Sequence, residues 1–501
     1  MVLLPLRSTV ATLFLMSLVA VDARSSTASP AYPYAQWVLD ENARDGTRAW
    51  RIKRAAAHDI EGFADRVSVQ VGGAVHLYVN TTAPSFHARA FRLGYYGGDG
   101  GRRIWTSNTV IGRTQPPATV DSDTNTVVAP WSRSLSFTVG EKFVEGSYLL
   151  KLVASTGGAS YVPLVVRNDA SAADLVVQHQ TTTWQAYNRW GGYSLYLGPD
   201  DTFATRSRVV SFDRPYDARG AGGMLRALPF IALFERDGMD VTYATDNDLH
   251  ARPALLRNHH SLVSLNHDEY WSTRMRDGLE SALASGVNYA NLGANAIYRK
   301  IRFEPSPLGA DRRVVGYKVR HEDPLDGVDD DQVTVNWRNP PSDDPESAVL
   351  GPMYQCYGVH ADMVVGAASS WIFAGTELTN GDKIPGAIAG EYDRIWPDAP
   401  TPRTLQILAH SPLWCRGRTR HADTTYYTAR SRAGVFNVSS TDWVDVLECA
   451  PPVESDSCSP AAVTITRNVL RHFAAGPAGI TRPSVPNTGT FGYALTQPLD
   501  P

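Results

Sequence analysis

The side chains best suited to chemistry lie in one stretch, Ser264 to Ser272, with the sequence SLNHDEYWS. It holds a histidine, two carboxylates and a phenol, namely His267, Asp268, Glu269 and Tyr270. Such side chains transfer protons or bind metal ions. The stretch has no cysteine and no Gly-x-Ser-x-Gly pattern, so a covalent thiol or hydroxyl nucleophile is not expected. We therefore predict a metal site or an acid/base site here.

The same stretch joins two predicted elements. An apolar run of strand length ends at Leu265, and the amphipathic segment Thr273 to Ala284 has the periodicity of a helix. In an open α/β sheet, functional groups gather beyond the carboxyl ends of the strands. By that rule, other polar loops that follow predicted strands are expected to lie beside this stretch, in one crevice at the edge of the sheet. They are Thr181–Gly192, Thr245–Asp248, Asn291–Asn295 and, later in the chain, Gly386–Asp393.

Two kinds of pattern divide the rest of the chain. Over residues 59–168, short runs of alternating hydrophobicity are separated by glycine-containing turns, which predicts a β-sandwich of roughly immunoglobulin type. Over residues 174–501, strands alternate with helices, which predicts βαβ units and a parallel sheet. Residues from about 301 to 397 lack this alternation. We interpret them as an irregular insertion that decorates the sheet.

The amino terminus has the pattern of an export signal. One positive charge precedes an apolar run from Thr9 to Val21, and small residues follow at a position that a signal peptidase prefers. The run is shorter than the roughly 20 residues that a bilayer-spanning helix needs. We predict a signal peptide over residues 1–23 and a leader over 24–58. The mature protein is therefore expected to be secreted, with no membrane contact after signal cleavage.

Charge and cysteine content limit the remaining classes. The chain has 501 residues and a formal net charge of -4, so no basic excess indicates nucleic acid. Its four cysteines form an even set, which in an exported chain predicts two disulfides. Three pairings are open. We choose Cys449 with Cys458, because they bracket one proline-rich loop, which leaves Cys356 with Cys415.

Six short motifs follow one another along the chain. They are FRLGYYGGDGGR at 91–102, TWQAYN at 183–188, NHDEYW at 266–271, LGANAIY at 292–298, GEYD at 390–393 and GVFN at 434–437. In this order and number they resemble the N,N-dimethylformamidase large-subunit family, over most of the mature chain. The resemblance implies a β-sandwich followed by a parallel α/β domain like that of class I glutamine amidotransferases.

The resemblance also implies a mononuclear ferric iron, Fe(III), that two tyrosines and a glutamate hold and that hydrolyses a small amide. Carried over to this chain, it assigns Tyr270 and Glu391 as ligands. The second tyrosine is placed at Tyr187, which follows the first strand of the α/β domain, and Tyr216 is the alternative to Tyr187. Phenolate and carboxylate oxygens are hard donors that suit a trivalent ion.

Roles for the neighbouring side chains follow from that chemistry. Iron polarises an amide carbonyl and lowers the pKa of water. His267 or Glu269 is then the expected general base, and Asn188 or Asn295 the expected donor to the developing oxyanion. The substrate is expected to be a small amide such as an N-substituted formamide. A homo-oligomer or a small partner subunit is expected, and nucleic acid is not.

A function from another class stays open. The aromatic content of 10% and the predicted sandwich are also compatible with a secreted carbohydrate- or surface-binding protein whose amidotransferase-like domain is inactive. Hydrolysis of an amide distinguishes the two interpretations.

Overall fold

A computed structural model describes residues 34–53 and 59–501. The predicted signal peptide, residues 1–23, and the leader up to residue 33 lie outside the described residues. The described part of the leader forms helix α1 (Gln36–Asn42). The molecule is mostly β structure in several sheets, with a few helices. Within the described ranges, the search for a helix apolar and long enough to cross a bilayer returns none.

Two sheets make up the first part of the fold, and their strands are antiparallel except for β2, which is parallel to β11. The three-stranded sheet has the order β1-β3-β9, and the other has the order β2-β11-β10-β4-β5, with β6 beside β4. One apolar cluster contains side chains from both sheets, as expected for the predicted β-sandwich. The strands are β1 (Ile60–Ala64), β2 (Ser68–Gln70), β3 (Ala74–Thr81), β4 (Ser85–Leu93), β5 (Gly101–Thr106), β6 (Val110–Ile111), β7 (Thr119–Val120), β8 (Val127–Val128), β9 (Leu135–Thr138), β10 (Gly146–Ala154) and β11 (Ala159–Arg167).

A seven-stranded sheet organises the second part. Its order is β14-β12-β15-β17-β25-β24-β23, and the pairings from β14 through β25 are all parallel. The elements up to residue 315 are β12 (Leu175–His179), α2 (Thr181–Tyr187), β13 (Val209–Ser211), α3 (Met224–Arg236), β14 (Val241–Thr245), α4 (Asp246–Ala251), β15 (Ser261–His267), β16 (Tyr270–Ser272), α5 (Thr273–Ala284), β17 (Asn288–Ala294), β18 (Arg299–Ser306) and β19 (Gly309–Val315). The likeness of this part to glutamine amidotransferases stays a prediction.

The remaining elements complete the sheet and cover it. They are α6 (Ser347–Leu350), β20 (Met353–Val364), β21 (Lys383–Arg394), β22 (Pro400–Pro402), β23 (Gln406–Cys415), β24 (Arg418–Thr428), β25 (Gly434–Asn437), β26 (Cys449–Ala450), β27 (Val453–Glu454), α7 (Pro460–Ala474) and β28 (Gln497–Leu499). Residues 301–397 are more regular than their sequence indicates, because β20 and β21 form a 12-residue antiparallel pair. Three register shifts interrupt this pair, and such bulges break the alternation that marks a strand.

The predicted disulfide pairing is confirmed. Cys449 bonds to Cys458, and Cys356 on β20 bonds to Cys415 on β23. The second bond closes a loop of 59 residues. In chain-entropy terms such a closure contributes about 4 kcal/mol to stability. It fastens the β20–β21 pair, which carries Glu391, to the edge of the central sheet.

One buried carboxylate joins the leader, the first sheets and the central sheet. Glu235 on α3 is fully buried and accepts two hydrogen bonds from Arg92 on β4, at 2.7 and 2.8 Å. Asn42 of α1 and the hydroxyl of Tyr243 on β14 also donate to it, at 2.7 and 2.8 Å. Removing one member of a buried ion pair typically costs about 3–5 kcal/mol. This contact therefore holds three parts of the chain in one arrangement.

Candidate active site

The candidate site lies where the central parallel strands end. Helix α2 follows β12 and ends at Tyr187, and β15 ends at His267. Asn295 follows β17, and Glu391 lies on β21. The backbone turns sharply at two of these ends, since Asn266 and Asn295 both have a φ of 51°. Asparagine is among the few residues that adopt this left-handed conformation readily, so both turns fit the residue type.

The first feature of the site is a cluster of two phenols and one carboxylate, formed by Tyr187, Tyr196 and Glu269. The Tyr187 hydroxyl donates to Glu269 Oε2 at 2.8 Å, and the Tyr196 hydroxyl donates to Oε1 at 2.5 Å. The two hydroxyl oxygens are 3.0 Å apart, and their rings stack with centroids at 4.6 Å. We call these three residues the phenol–carboxylate cluster.

Charges around the cluster determine its protonation. Burial pushes the pKa of Glu269 upward, but the charges of His267, Arg299 and Lys318 more than offset this and hold it below its ordinary value. Arg299 Nε donates to Glu269 Oε1 at 3.2 Å. Burial and the nearby Glu269 charge raise the pKa of both the Tyr187 and the Tyr196 phenols well above 10. The carboxylate is therefore ionised at neutral pH, and both phenols are protonated donors to it.

A second group adjoins the cluster. Asn295 Nδ2 donates to Glu391 Oε2 at 2.6 Å and lies 3.1 Å from His267 Nε2. The same His267 nitrogen is 3.4 Å from Glu269 Oε2 and 3.6 Å from Glu391 Oε2. Burial raises the pKa of Glu391 above its ordinary value. His267 therefore bridges the phenol–carboxylate cluster and Glu391, and we call His267, Asn295 and Glu391 the relay group.

A cleft of about 380 Å³ opens onto both sets of side chains. Tyr187, His267 and Glu391 form part of its wall. Tyr187 as a residue is 41% exposed, although its hydroxyl contacts the buried Glu269. The other walls of the cleft include Trp184, Tyr216, Asp217, Arg226 and Asp442. A substrate in this cleft would therefore contact Tyr187 of the phenol–carboxylate cluster and His267 and Glu391 of the relay group.

Other predicted site residues have different surroundings. Tyr270 is fully buried beside Tyr196 and Glu269, and burial together with the Glu269 charge raises the pKa of its phenol well above the ordinary value. Asn188 donates to Gln185 and to Pro215 O, which occupies both hydrogens of its amide. It thus braces the backbone of the loop and offers no free donor. Tyr216, the alternative ligand, is also buried at its hydroxyl and unpaired within the described chain.

Sequence reasoning missed Tyr196. It lies in a loop after α2 that has no helix or strand over residues 193–208, so periodicity does not mark it. The loop folds back because Leu195 N donates to Ala186 O at 2.9 Å, which directs Tyr196 toward the end of α2. The cluster of aromatic residues and glycines in WGGYSLYLG, residues 190–198, is the only signal in the sequence.

The donor set of the phenol–carboxylate cluster fits a metal ion. Its donor atoms are the two phenol oxygens and the two oxygens of Glu269, all hard donors, and the hydrogen-bonded pairs among them are 2.5 to 3.0 Å apart. Oxygen atoms that bind one small cation at about 2 Å lie roughly 3 Å from each other. A search of the described residues for three or more clustered His, Cys, Asp or Glu side chains finds none, and this set contains a single carboxylate.

Comparison with known proteins gives one informative match. A family model described as N,N-dimethylformamidase beta subunit-like, C-terminal, matches residues 87–457, which include every residue of the two groups above. The comparison with curated proteins finds no match. A Paenibacillus cycloisomaltooligosaccharide glucanotransferase structure, complexed with cycloisomaltoheptaose, shows 11% identity and a TM-score of 0.15 over 41% of this chain and 20% of its own. Murine CEACAM1b shows 13% identity and a TM-score of 0.12 over 21% of this chain and 52% of its own. Both scores are too low to support any argument.

Proposed function

Because this chain belongs to the N,N-dimethylformamidase beta subunit-like family, we propose that it is a secreted, metal-dependent amidohydrolase that cleaves a small amide. The observation that carries the proposal is the phenol–carboxylate cluster, whose Tyr187 lines the same cleft as His267 and Glu391 of the relay group. The predicted signal peptide and the two disulfides support export. We also propose that the parallel strands belong to an amidotransferase-like domain, and that the protein works as an oligomer or with a small subunit.

We assign the metal ligands to Tyr187, Tyr196 and Glu269. The family resemblance instead implies Tyr270, Tyr187 and Glu391 as ligands. Our assignment keeps Tyr187, and it takes Tyr196 in place of Tyr270 and Glu269 in place of Glu391. The reason is that both phenol hydroxyls already donate to the Glu269 carboxylate, at 2.8 and 2.5 Å, and lie 3.0 Å from each other. Iron binding would release both phenol protons, and the resulting two phenolates and one carboxylate would suit Fe(III). When bound, such an ion supplies Lewis acidity toward an amide carbonyl and acidifies water.

The relay group supplies the proton transfers. Glu391 borders the cleft, and its raised pKa makes it a stronger base than an exposed glutamate, so it accepts the proton of the attacking water. Asn295 holds that carboxylate through the 2.6 Å hydrogen bond and so orients it. His267 lies between Glu391 and Glu269, where it can return the proton to the leaving amine nitrogen. Asn295 is thus a positioning residue in this scheme.

Metal analysis together with an amide assay tests the proposal. Purified protein is expected to bind stoichiometric iron, to show a visible tyrosinate-to-iron absorption band and to release formate from N,N-dimethylformamide. Chelation should abolish both the band and the hydrolysis, and iron should restore them. Failure to bind iron would overturn the metal assignment. Binding on a glycan screen without hydrolysis of any amide would instead favour the carbohydrate-binding alternative.

Thr183 links the two segments that carry the proposed ligands. Its Oγ1 on α2 accepts hydrogen bonds from the backbone nitrogens of Glu269 and Tyr270, at 3.1 and 3.4 Å. Thr183→Val keeps the shape of the side chain and removes the acceptor. We expect the affinity for iron to fall about 10- to 100-fold, as for other partners that orient metal ligands. Titration of the apoprotein with iron, followed by the visible band, measures this change.

Thr183→Ser is the matched control for that substitution. Serine retains the hydroxyl, so its iron affinity is expected to stay within about threefold of the parent. Equal affinities in the valine and serine variants would show that the hydroxyl does not position Glu269.

A further inference from the structure

We infer that the cleft accepts an uncharged amide that carries an aromatic ring, an arylamide, and prefers it to a simple dialkyl amide. The inference rests on the proposed amidohydrolase function and names the substrate class of that same site. It follows from the volume of the cleft, from the rings that line it and from the charges at its wall.

The cleft is larger than a dialkyl formamide requires. Its volume of about 380 Å³ falls within the range of roughly 300–1,000 Å³ typical of sites for drug-sized ligands. An amide with only methyl substituents would fill a small part of this space beside His267 and Glu391. The remaining volume is available to a substituent on the amide.

Aromatic side chains surround that remaining volume. Trp184 and Tyr187 lie three residues apart on α2, so they share one face of the helix, and both line the cleft. Tyr216 approaches from a separate loop. A Cβ built on Gly222 would lie 3.1 Å from Trp184 and 3.5 Å from Tyr216, so these two rings converge on one point of the wall. Aromatic walls favour a flat ring in stacked or edge contact.

The Trp184 ring is held in place from behind. Gly223 packs so closely that an added Cβ would lie 2.1 Å from Trp184 Nε1, so a larger residue could not occupy this position without displacing the ring. Gly222 has a φ of 54°, a conformation that favours glycine. Since the ring is ordered before a ligand arrives, little conformational entropy is lost on binding.

Charge selects against anionic ligands. Three carboxylates line the cleft, those of Asp217, Glu391 and Asp442, and one arginine, Arg226. Arg226 donates to Asp442 and to Asp445, both at 2.8 Å, so its charge is already paired. A carboxylate on the substituent, the part of the substrate that the proposed iron does not bind, would therefore face Asp217 and Asp442 without an unpaired arginine. An uncharged arylamide fits this wall, and an N-acyl amino acid does not.

Steady-state kinetics with the iron-loaded protein test the inference. The substrates are formanilide, benzamide, N,N-dimethylformamide and N-formylphenylalanine. We expect the better of the two neutral arylamides to exceed N,N-dimethylformamide at least tenfold in kcat/KM, and N-formylphenylalanine to lie at least tenfold below formanilide. The choice between formanilide and benzamide shows on which side of the amide the ring binds. A preference for N,N-dimethylformamide would overturn the inference.

Variants of the ring wall identify the binding surface. Trp184→Ala is expected to lower the ratio of arylamide to dialkyl amide kcat/KM at least tenfold, and Trp184→Phe, which retains a ring, to keep most of it. Tyr216→Leu provides a second variant if Trp184→Ala does not fold, with the same direction of change. An unchanged ratio in the folded variants would contradict the assignment.

A binding measurement separates this inference from the proposed function. Isothermal titration of the metal-free protein with formanilide measures the binding affinity of this ligand, and it does not require that the protein hydrolyse it. If no amide is hydrolysed, but formanilide binds to the parent and at least tenfold more weakly to Trp184→Ala, the proposed function fails and the ligand class stands. If N,N-dimethylformamide is hydrolysed and formanilide neither binds nor reacts, the ligand class fails and the proposed function stands.

Discussion

Glu269→Gln is expected to abolish iron binding and to lower amide hydrolysis about a thousandfold. The magnitude follows from the several kcal/mol of transition-state stabilisation that a Lewis acid supplies, at about 1.4 kcal/mol for each factor of ten. Glu269 is 1% exposed and accepts hydrogen bonds from both Tyr187 and Tyr196. Glutamine keeps the size of the side chain, but it cannot carry the charge that complements the ion. Iron content and the visible band measure the loss directly.

The neighbouring carboxylate provides the control for this substitution. Asp268 is also fully buried, and it accepts a hydrogen bond from Ser264 at 2.5 Å. Burial raises the pKa of its carboxyl well above the ordinary range, which favours the neutral acid, and asparagine is the neutral substitute of the same size. We expect Asp268→Asn to bind iron as the parent does. Loss of iron in both variants would indicate that substitutions between β15 and β16 disturb folding, and that Glu269 has no specific role as a ligand.

Substitutions of the tyrosines distinguish the two ligand sets. Tyr196→Phe is expected to weaken iron binding and to reduce the tyrosinate-to-iron band, to which only Tyr187 would then contribute. Tyr270→Phe is expected to keep the full band. The reverse result would restore Tyr270 as the ligand and remove Tyr196. Thermal unfolding of each variant checks that the fold survives, since Glu269→Gln leaves Arg299 without its carboxylate partner.

Glu391→Gln is expected to lower kcat about 100- to 10,000-fold while iron stays bound. This range is the usual contribution of a general base. Glu391 borders the cleft, and its carboxylate lies 3.6 Å from His267 Nε2. Glutamine preserves a polar group for Asn295 but cannot accept the proton of water. Single-turnover kinetics and iron content, measured on the same preparation, separate the loss of chemistry from the loss of metal.

The same experiment tests the role that the family resemblance assigns to Glu391. If Glu391→Gln loses iron together with activity, Glu391 is a ligand and the proposed base is wrong. Glu377→Gln is the matched control, because Glu377 is an exposed glutamate in the segment between β20 and β21. Its kcat and iron content are expected to equal those of the parent. A similar loss of kcat or iron in Glu377→Gln would indicate that substitutions in this part of the chain disturb its folding, and that the loss is not specific to Glu391.

Parts of the fold could be predicted because they depend on local patterns. The alternation of strands and helices after residue 174 corresponds to the five parallel strands of the central sheet. The segment Thr273–Ala284 forms the predicted helix, with Ser272 as its cap. The region from 301 to 397 was harder to interpret, because bulges in the β20–β21 pair disturb the period of two on which strand prediction depends.

The sequence by itself determined the family and the side chains at the strand ends, among them Tyr187, His267, Glu269 and Asn295, and the structure selected one disulfide pairing of three. These depend on short motifs and on hydrophobic periodicity, which are local. Only the tertiary structure decided which oxygen atoms meet. Tyr196 contacts Glu269 across 73 residues of chain, and Asn295 contacts Glu391 across 96. Such contacts depend on how an irregular loop and a bulged strand pack against the sheet, and no periodicity in the sequence records that packing.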